Sequence, residues 1–488
     1  MMRAAMVVVA TPLLLVSSAS GQSRTDSELL ERLEQELRDF DATYRLEVPP
    51  DQPISERLLF EYGGSMRFGF VSSDRATGSS RTLRQTNGLL YLRAELDGAH
   101  RFYGRLNFRY DDFNAGDSFD RRGDELENPI GDRYWYQFDL RGAKLAETGE
   151  RIANNVTARV GRQYEQWGAG LALSEVLYSG VVDVELNDLG ITGLAGVTPA
   201  SAAIDFDTSR AGFDGATDRA FFGGRLEYRG WRDHRPYLSA LVQRDRNDDG
   251  VRTFESTLIS YPTRFEYDSE YFAIGSQGTL GPQMQYRVEF VYETGDGLSS
   301  SFDPATSLPV TQTREDIDAW AGLLALTYLL RDEQHSRFDL EFAVGSGDDD
   351  RLDPTNTFAG NTSGTDDTAF NSLGYVNTGL ALAPELSNLM SLQLGFSTAP
   401  LGRRGSTEWL RLGVSGFLFA KTDEDGPISV ATTAETFVGG EIGISVDWRI
   451  ASDVAATARY GVFLPGDAIP GDQDQARHFL YMGVSYAF

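Results

Sequence analysis

Apolar and polar residues alternate with a period of two in many segments of the chain from about residue 59 onward. In RFYGRLNFRYD, at 101–111, Phe102, Leu106 and Phe108 share one set of alternate positions, and arginine, tyrosine and asparagine residues fill the other set. The same pattern recurs in RYWYQFDLRG (133–142), QMQYRVEFVYE (283–293) and VGGEIGISVDWRI (438–450). Segments of about ten residues with one apolar and one polar face are typical of the strands of a transmembrane β-barrel.

The alternation predicts about 18 strands, an even number as in bacterial single-chain barrels. They lie near 59–71, 86–96, 101–112, 133–145, 154–164, 177–187, 190–198, 220–231, 235–245, 267–278, 283–294, 316–330, 337–346, 389–398, 408–420, 437–450, 454–463 and 477–488. Short links such as NDLG and LGPQ alternate with long acidic links, which begin at Asn114, Pro199, Arg246, Gly295 and Gly347. Short periplasmic turns and long outer loops have this arrangement. Both ends of the predicted barrel then face the periplasm, and every periplasmic turn is expected to be short.

The region before the barrel has two predicted parts. Residues 1–21 have a basic Arg3, an apolar run and small residues after it, which is the layout of a secretory signal peptide. Residues 22–58 contain DSELLERLEQELRDF, whose leucines form one helical stripe, and then a proline-rich linker. The predicted fold is therefore all-β: residues 59–488 form a transmembrane antiparallel β-barrel of about 18 strands, preceded by a short N-terminal periplasmic helix. A secreted, soluble β-rich binding protein or hydrolase is the alternative from another class.

The sequence reaches its last residue in the middle of an alternating strand, HFLYMGVSYAF. A closed barrel has no free edge, so this strand is expected to pair with the first one. Terminal Phe488 with Tyr486 two places before it resembles the C-terminal signal that the barrel assembly machinery reads in the outer membrane. The predicted location is therefore the outer membrane of a Gram-negative-type bacterium, with its lipid and that machinery as partners.

Composition excludes several functions. The chain of 488 residues has 44 basic and 72 acidic residues, so its formal net charge of -28 disfavours nucleic acid as a partner. It has no cysteine and only four histidines, which removes thiolate chemistry and disfavours imidazole metal sites. We find no Ser-His-acid arrangement and no Gly-x-Ser-x-Gly motif, and we expect no enzyme activity.

One acidic segment is a candidate metal site. SGDDDRLDP, at 346–354, carries Asp348, Asp349, Asp350 and Asp353, and clustered carboxylates are ligands for hard cations such as calcium. The segment lacks the glutamate that closes an EF-hand loop, and a solvated acidic loop is the alternative interpretation. No other cofactor is predicted.

The polar positions of the predicted strands identify the residues expected to line the pore. By parity they are Arg67, Arg105, Arg109, Arg133, Arg141, Arg159, Arg225, Arg229, Arg287, Arg411, Arg449, Arg459, Asp139, Asp183, Glu185 and Glu289. Further inward positions hold Arg93, Glu61, Glu95, Asp111, Glu227, Glu293, Asp339, Glu341, Glu441 and Asp447. Guanidinium groups suit carboxylate and polyol ligands, but cross-strand ion pairs that stiffen the wall explain the same residues.

Two stretches resemble the alginate export family of outer-membrane barrels. ARVGRQYEQWGAGLALSEVLYSGVVDVEL resembles that family's Gly-Arg-Gln strand with its glycine-bearing loop, through Gly161, Arg162, Gln163, Gly168 and Gly170. A Ser-Gly-Asp-rich loop before a late Asn-Leu strand matches in Ser346, Gly347, Asp348, Asp353, Phe358, Asn388 and Leu389. Arg162 joins the predicted pore-lining set on this ground.

The resemblance implies an 18-stranded pore that carries an anionic polysaccharide past an arginine-lined constriction, with periplasmic export components as candidate partners. The acidic residues among the arginines depart from that pattern, and so does the apparent lack of a long periplasmic gating loop. We therefore expect a passive channel for an anionic polysaccharide or oligosaccharide, with a general or small-solute porin for sugars or anions as the alternative.

Overall fold

The structure is a computed structural model, and it describes residues 58–118, 123–200, 203–247, 250–256, 259–401 and 410–488. The predicted signal peptide and N-terminal helix lie outside the described residues. Eighteen strands form one sheet: β1 (Leu58–Asp74), β2 (Ser80–Leu96), β3 (His100–Phe113), β4 (Glu125–Asp139), β5 (Asn155–Trp167), β6 (Leu173–Leu186), β7 (Leu189–Val197), β8 (Arg219–Tyr228), β9 (His234–Asp245), β12 (Tyr267–Leu280), β13 (Met284–Leu298), β14 (Arg314–Leu329), β15 (Arg337–Gly345), β16 (Leu389–Thr398), β17 (Leu410–Lys421), β18 (Phe437–Arg449), β19 (Val454–Pro465) and β20 (Arg477–Ala487). A separate hairpin is formed by β10 (Arg252–Glu255) and β11 (Ser260–Thr263).

The sheet closes on itself as an antiparallel barrel. Each barrel strand pairs with the next, and β1 pairs with both β2 and β20. At the seam Ser65 lies opposite Ala487, and the backbone N–H groups of Gly64 and Phe488 each donate to the other's carbonyl at 2.9 Å. The predicted closed barrel of 18 strands, with its last strand paired to its first, is confirmed.

Period-two alternation gives the barrel an apolar outer surface. Side chains such as Phe60, Phe102, Ile274 and Val288 are exposed on that surface, and the residues between them point inward. An exposed apolar band around a closed barrel is what lipid contact requires. Phe102 packs its ring against Tyr136 on this outer surface, with centroids 4.8 Å apart.

The two ends of the barrel differ. The end where β1 begins and β20 finishes, here called the terminal end, has links of a few residues such as 97–99, 187–188 and 281–283. The opposite end, here called the loop end, carries the long loops 198–218, 246–266, 299–313, 346–388 and 422–436. The predicted difference between the two ends is therefore present, although the loop end also has the short links 75–79 and 168–172.

The link between β4 and β5, at the terminal end, departs from the prediction. The strand predicted over 133–145 finishes at Asp139, and helix α1 (Leu140–Thr148) occupies the following link, which extends to residue 154. Asp139 caps α1, because its side chain accepts from the Gly142 N–H at 2.8 Å. The expectation that every link at this end is short was therefore wrong. In the described part of the chain, no helix is long and apolar enough to cross a membrane.

The inside of the barrel contains two apolar clusters. The larger cluster joins inward residues such as Leu177, Leu241 and Val291 to Phe370 and Leu373 of loop 346–388. The second joins inward residues of β1, β2 and β17–β20 to Ala381, Leu382 and Ala383 of the same loop. The interior is therefore not polar throughout, because long loops fold into the barrel and bury apolar residues there.

Candidate functional site

The inner wall near the terminal end is the polar part of the barrel and the candidate solute passage. Arg287 lies near the terminal end of β13, whereas Val291, further along the same inward row, is fully buried. On β5 and β6 the same change occurs from Arg159 and Asp183 to the buried Trp167 and Leu177. The candidate site is therefore a polar cylinder at the terminal end, which meets packed loops toward the loop end.

Most arginines of this wall lie next to carboxylates. Five of the predicted arginines form ion pairs with carboxylates. Their nitrogen–oxygen distances are 2.9 Å for Arg105–Asp132, 3.2 Å for Arg109–Asp111, 2.5 Å for Arg109–Glu127, 3.7 Å for Arg159–Glu165, 3.6 Å for Arg287–Glu341 and 2.9 Å for Arg459–Asp447. Asp183 accepts instead from the Thr192 hydroxyl at 2.7 Å. Opposite charges placed this close neutralise each other's field, and the pairs that join neighbouring strands, such as Arg105–Asp132 and Arg459–Asp447, also stabilise the sheet.

A polar cluster surrounds the start of α1. Glu185 accepts from Arg141 at 2.7 Å and from Arg229 at 2.9 Å, and Arg229 also pairs with Glu227 at 2.6 Å. Arg141 belongs to α1 and Arg229 follows β8, so neither residue lies on a barrel strand. Asp139 is engaged in capping the helix. These residues were predicted to line the pore, and the structure gathers them at its terminal mouth.

Three predicted arginines have no carboxylate partner within 4 Å among the described residues. Arg67 shows no ion pair there, and Arg411 donates to the Ser397 hydroxyl at 3.3 Å. Arg225 lies over two rings, with its guanidinium carbon 5.9 Å from the Trp167 centroid and 6.0 Å from that of Tyr237. All three occupy inward positions of their strands. Their positive charges are not offset by a carboxylate within 4 Å in the described residues.

The remaining four predicted residues have other surroundings. Arg162 has the parity of the exposed Val160 and lies over the ring of the outward-facing Tyr178 at 5.6 Å, so it is on the outer face. Arg133 lies over the ring of Tyr164 at 5.4 Å, next to an irregularity in the β3–β4 pairing. Arg449 donates to the Ser452 carbonyl, at 2.9 Å, in the turn that follows its strand.

The fourth, Glu289, is buried under the turn between β5 and β6. It is 3% exposed and accepts from the Ala169 N–H at 2.8 Å and the Tyr237 hydroxyl at 2.5 Å. Its side chain points to the interior of the barrel, but it binds the main chain of the β5–β6 turn instead of facing open solvent.

Two segments cross the interior above the polar wall. The β5–β6 turn (168–172) reaches Glu289 on β13, although β6, β7, β8, β9 and β12 separate β5 from β13 along the sheet. Loop 346–388, here called the inner loop, bonds to β14 through Asp367, to the β5–β6 turn through Tyr375 and to β18 through Leu380. These contacts narrow the interior at the level where the polar wall stops.

The acidic segment of the inner loop is only partly gathered. Carboxylate oxygens of Asp348, Asp349 and Asp350 come within 4.8 Å of one another, but Asp353 is not part of that group. Asp353 accepts instead from the N–H groups of Thr355 and Asn356, at 3.1 and 3.0 Å. Burial, with the neighbouring Asp367 carboxylate adding to it, raises the pKa of Asp348 to about 6. A calcium site here stays a prediction.

The sequence interpretation missed the wall residues that meet the inner loop. The only signal was composition: β6 and β14 carry apolar residues on both faces, as in LYSGVV (177–182) and AGLLAL (321–326). A strand that is apolar on both faces is buried on both faces. In a barrel this indicates lipid on one side and a packed segment on the other.

The comparisons with known proteins agree with this architecture. The protein-family model described as alginate export matches residues 206–482, which is more than half of the chain. The chain belongs to the alginate export family. The second of the two resembling stretches lies inside the match, and the first one precedes it.

Solved structures show the same fold. The chain is similar to OccK8 (OprE) of Pseudomonas aeruginosa with a TM-score of 0.52 and 12% identity, over 88% of this chain and 98% of that one. It is similar to OccK11 (OpdR) of the same organism with a TM-score of 0.51 and 14% identity, over 91% and 99% of the two chains. No curated protein matches the sequence. The family is that of alginate export, and the fold is that of these solved barrels.

Proposed function

We propose that this alginate export family member is a passive channel for an anionic polysaccharide or oligosaccharide across the outer membrane of a Gram-negative-type bacterium. The observation that carries the proposal is the charge pattern of the polar wall. Most of its carboxylates lie next to arginines, while Arg67, Arg225 and Arg411 have no carboxylate within 4 Å in the described part. An uncompensated guanidinium attracts anions and donates in a plane to carboxylates. The family match supports a saccharide polymer as the solute.

Orientation follows from the ends of the barrel. We place the terminal end in the periplasm, because barrels of this class have short periplasmic turns and long outer loops. The C-terminal Tyr486 and Phe488 then face the side from which the assembly machinery acts, and periplasmic export components would meet α1 and its neighbours.

A small-solute porin is the second candidate. It is favoured by the two segments that cross the interior, because a narrowed passage restricts a bulky chain more than a single sugar or anion. In this reading the residual positive charge selects small anions, and the ion-paired wall is mainly structural.

Planar bilayer recordings separate these candidates. Under a salt gradient the reversal potential should show anion preference, and substituting Arg67, Arg225 and Arg411 together by glutamine should shift it toward zero. Arg84→Gln is the matched control, because Arg84 pairs with Asp112 at 2.8 Å on the outer face. Block of the current by uronate oligomers, increasing with their length, supports the polymer. Block by monomers and oligomers alike indicates the small-solute porin, and a protein that never conducts contradicts both candidates.

A further inference from the structure

Three inward carboxylates of the barrel wall bind main-chain N–H groups of the segments that cross the interior. They are Glu289 and Glu293 on β13 and Glu441 on β18, and each is at most 3% exposed. Most wall carboxylates near the terminal end pair with arginines. The difference assigns these three glutamates to holding chain rather than to contacting a solute.

Glu441 holds the descending part of the inner loop. Its two carboxylate oxygens accept from the N–H groups of Leu380 at 2.6 Å, Ala381 at 3.0 Å and Leu382 at 3.1 Å. The backbone closes round it at Gly379, where φ is +90° and a Cβ would lie 2.8 Å from a carboxylate oxygen. A side chain at 379 would therefore force the loop away from the wall.

Glu293 holds the middle of the same loop. It accepts from the Asn371 N–H and from the Tyr267 hydroxyl, each at 2.9 Å. The Tyr271 hydroxyl donates to the Asn371 carbonyl at 2.6 Å, so both main-chain groups of one loop residue bond to the wall. No ion pair of Glu293 is found in the described part of the chain.

Glu289 holds the β5–β6 turn, on which the inner loop rests. Its carboxylate accepts from the Ala169 N–H, and a Cβ on Gly168, where φ is +60°, would lie 1.9 Å from it. The Gly170 carbonyl of this turn also accepts a hydrogen bond from the Tyr375 N–H of the inner loop, at 2.9 Å. The contact from wall to turn to loop is thus continuous.

We propose that Glu289, Glu293 and Glu441 are positioning residues that fix the inner loop across the barrel and so set the largest solute that can pass. Without these carboxylates the main-chain donors of the turn and of the inner loop would be left buried and unpaired, which costs free energy. The inference rests on the proposed function only in that the barrel must conduct; it does not depend on which solute passes.

The test is exclusion of neutral polymers of graded size from the open channel in planar bilayers. Because such polymers carry no charge, their access reports the width of the passage and not its selectivity. Glu293→Ala and Glu441→Ala should raise the single-channel conductance and shift the exclusion limit to larger polymers. Glu270→Ala is the matched control, since Glu270 pairs with Arg244 at 2.5 Å on the outer face, and it should leave the limit unchanged.

A reversible cross-link identifies loop movement as the cause. Leu173 and Leu373 are partners in an isolated bridge between the β5–β6 turn region and the inner loop, and the chain has no cysteine that would compete. Introducing L173C and L373C into the Glu441→Ala variant should return the exclusion limit to the wild-type value when oxidised, and reduction should release it. If the alanine variants do not insert, Glu441→Gln should give the same shift, because its amide nitrogen faces an N–H donor.

The outcomes separate the two proposals. Folded variants that keep the wild-type conductance and exclusion limit overturn the positioning role, and so does a widened passage that ignores the cross-link. A wild-type protein that does not conduct contradicts the proposed channel itself.

Discussion

The apolar cluster inside the barrel should stabilise the fold in a way that the outer apolar band does not. Leu177 faces inward on β6, is fully buried and belongs to the larger cluster, whereas Val182 on the same strand is 45% exposed on the outer face. Leu177→Ala removes three carbon atoms, worth roughly 2 kcal/mol of transfer free energy at ~0.8 kcal/mol per methylene. The cavity left in packed surroundings raises the loss to about 3 kcal/mol, within the range known for such substitutions.

Val182→Ala is the internal comparison. Lipid tails are as apolar as the side chain and flow into the space left, so its loss should stay below about 1 kcal/mol. Urea unfolding of both variants in phospholipid vesicles, followed by tryptophan fluorescence, measures the two free energies of unfolding. Equal losses, or a larger loss for Val182→Ala, would refute the reasoning that packed loops make the interior a second core.

Two further predictions concern the loops. Asp205→Asn removes the carboxylate that pairs with Arg210 at 3.2 Å and Arg219 at 2.8 Å in a buried cluster, so loop 198–218 should lose about 3–5 kcal/mol of local stability; limited proteolysis of that loop measures it, and unchanged resistance contradicts it. The pKa of Asp348 is raised to about 6, so its carboxyl group holds a proton more tightly in the folded inner loop than in the unfolded chain. Protonated Asp348 therefore stabilises the loop fully below about pH 4, and this stabilisation is lost as the pH rises through about 6. In limited proteolysis the wild-type inner loop should be cleaved more slowly below about pH 4 than above about pH 6, and Asp348→Asn should abolish this pH dependence. Equal cleavage rates of the wild-type loop at both pH values would contradict the prediction.

The strands could be predicted from the sequence because period-two alternation reports which face meets lipid. The predicted strand at 389–398 coincides with β16, and the other predicted strands each correspond to one barrel strand. The strand predicted at 133–145 was wrong at its C-terminal end. The apolar–polar alternation of the sequence continues through Leu140, but Asp139 ends the strand and caps a helix. A local hydrogen bond to a main-chain N–H decides that boundary, and apolar spacing does not report it.

The inner core could not be predicted as readily. The contact of Glu289 with Ala169 joins residues 120 positions apart and uses a main-chain donor, which leaves no mark in side-chain identity. Parity did place Glu289 inward, but it could not distinguish a carboxylate that faces solvent from one that holds a turn. Arg162 failed for a different reason: it entered the set through a motif, and its own parity places it on the outer face.

The path of the inner loop has a mechanical consequence. A wide barrel is a thin, single-layered wall, and membrane pressure can flatten its round cross-section toward an ellipse. The inner loop is hydrogen-bonded to β14, to the β5–β6 turn and to β18, so it connects separate parts of the wall across the interior and should resist such flattening. The same segment that crosses the interior is therefore expected to stiffen the wall, and a shortened version should gain width only at the expense of that stiffness.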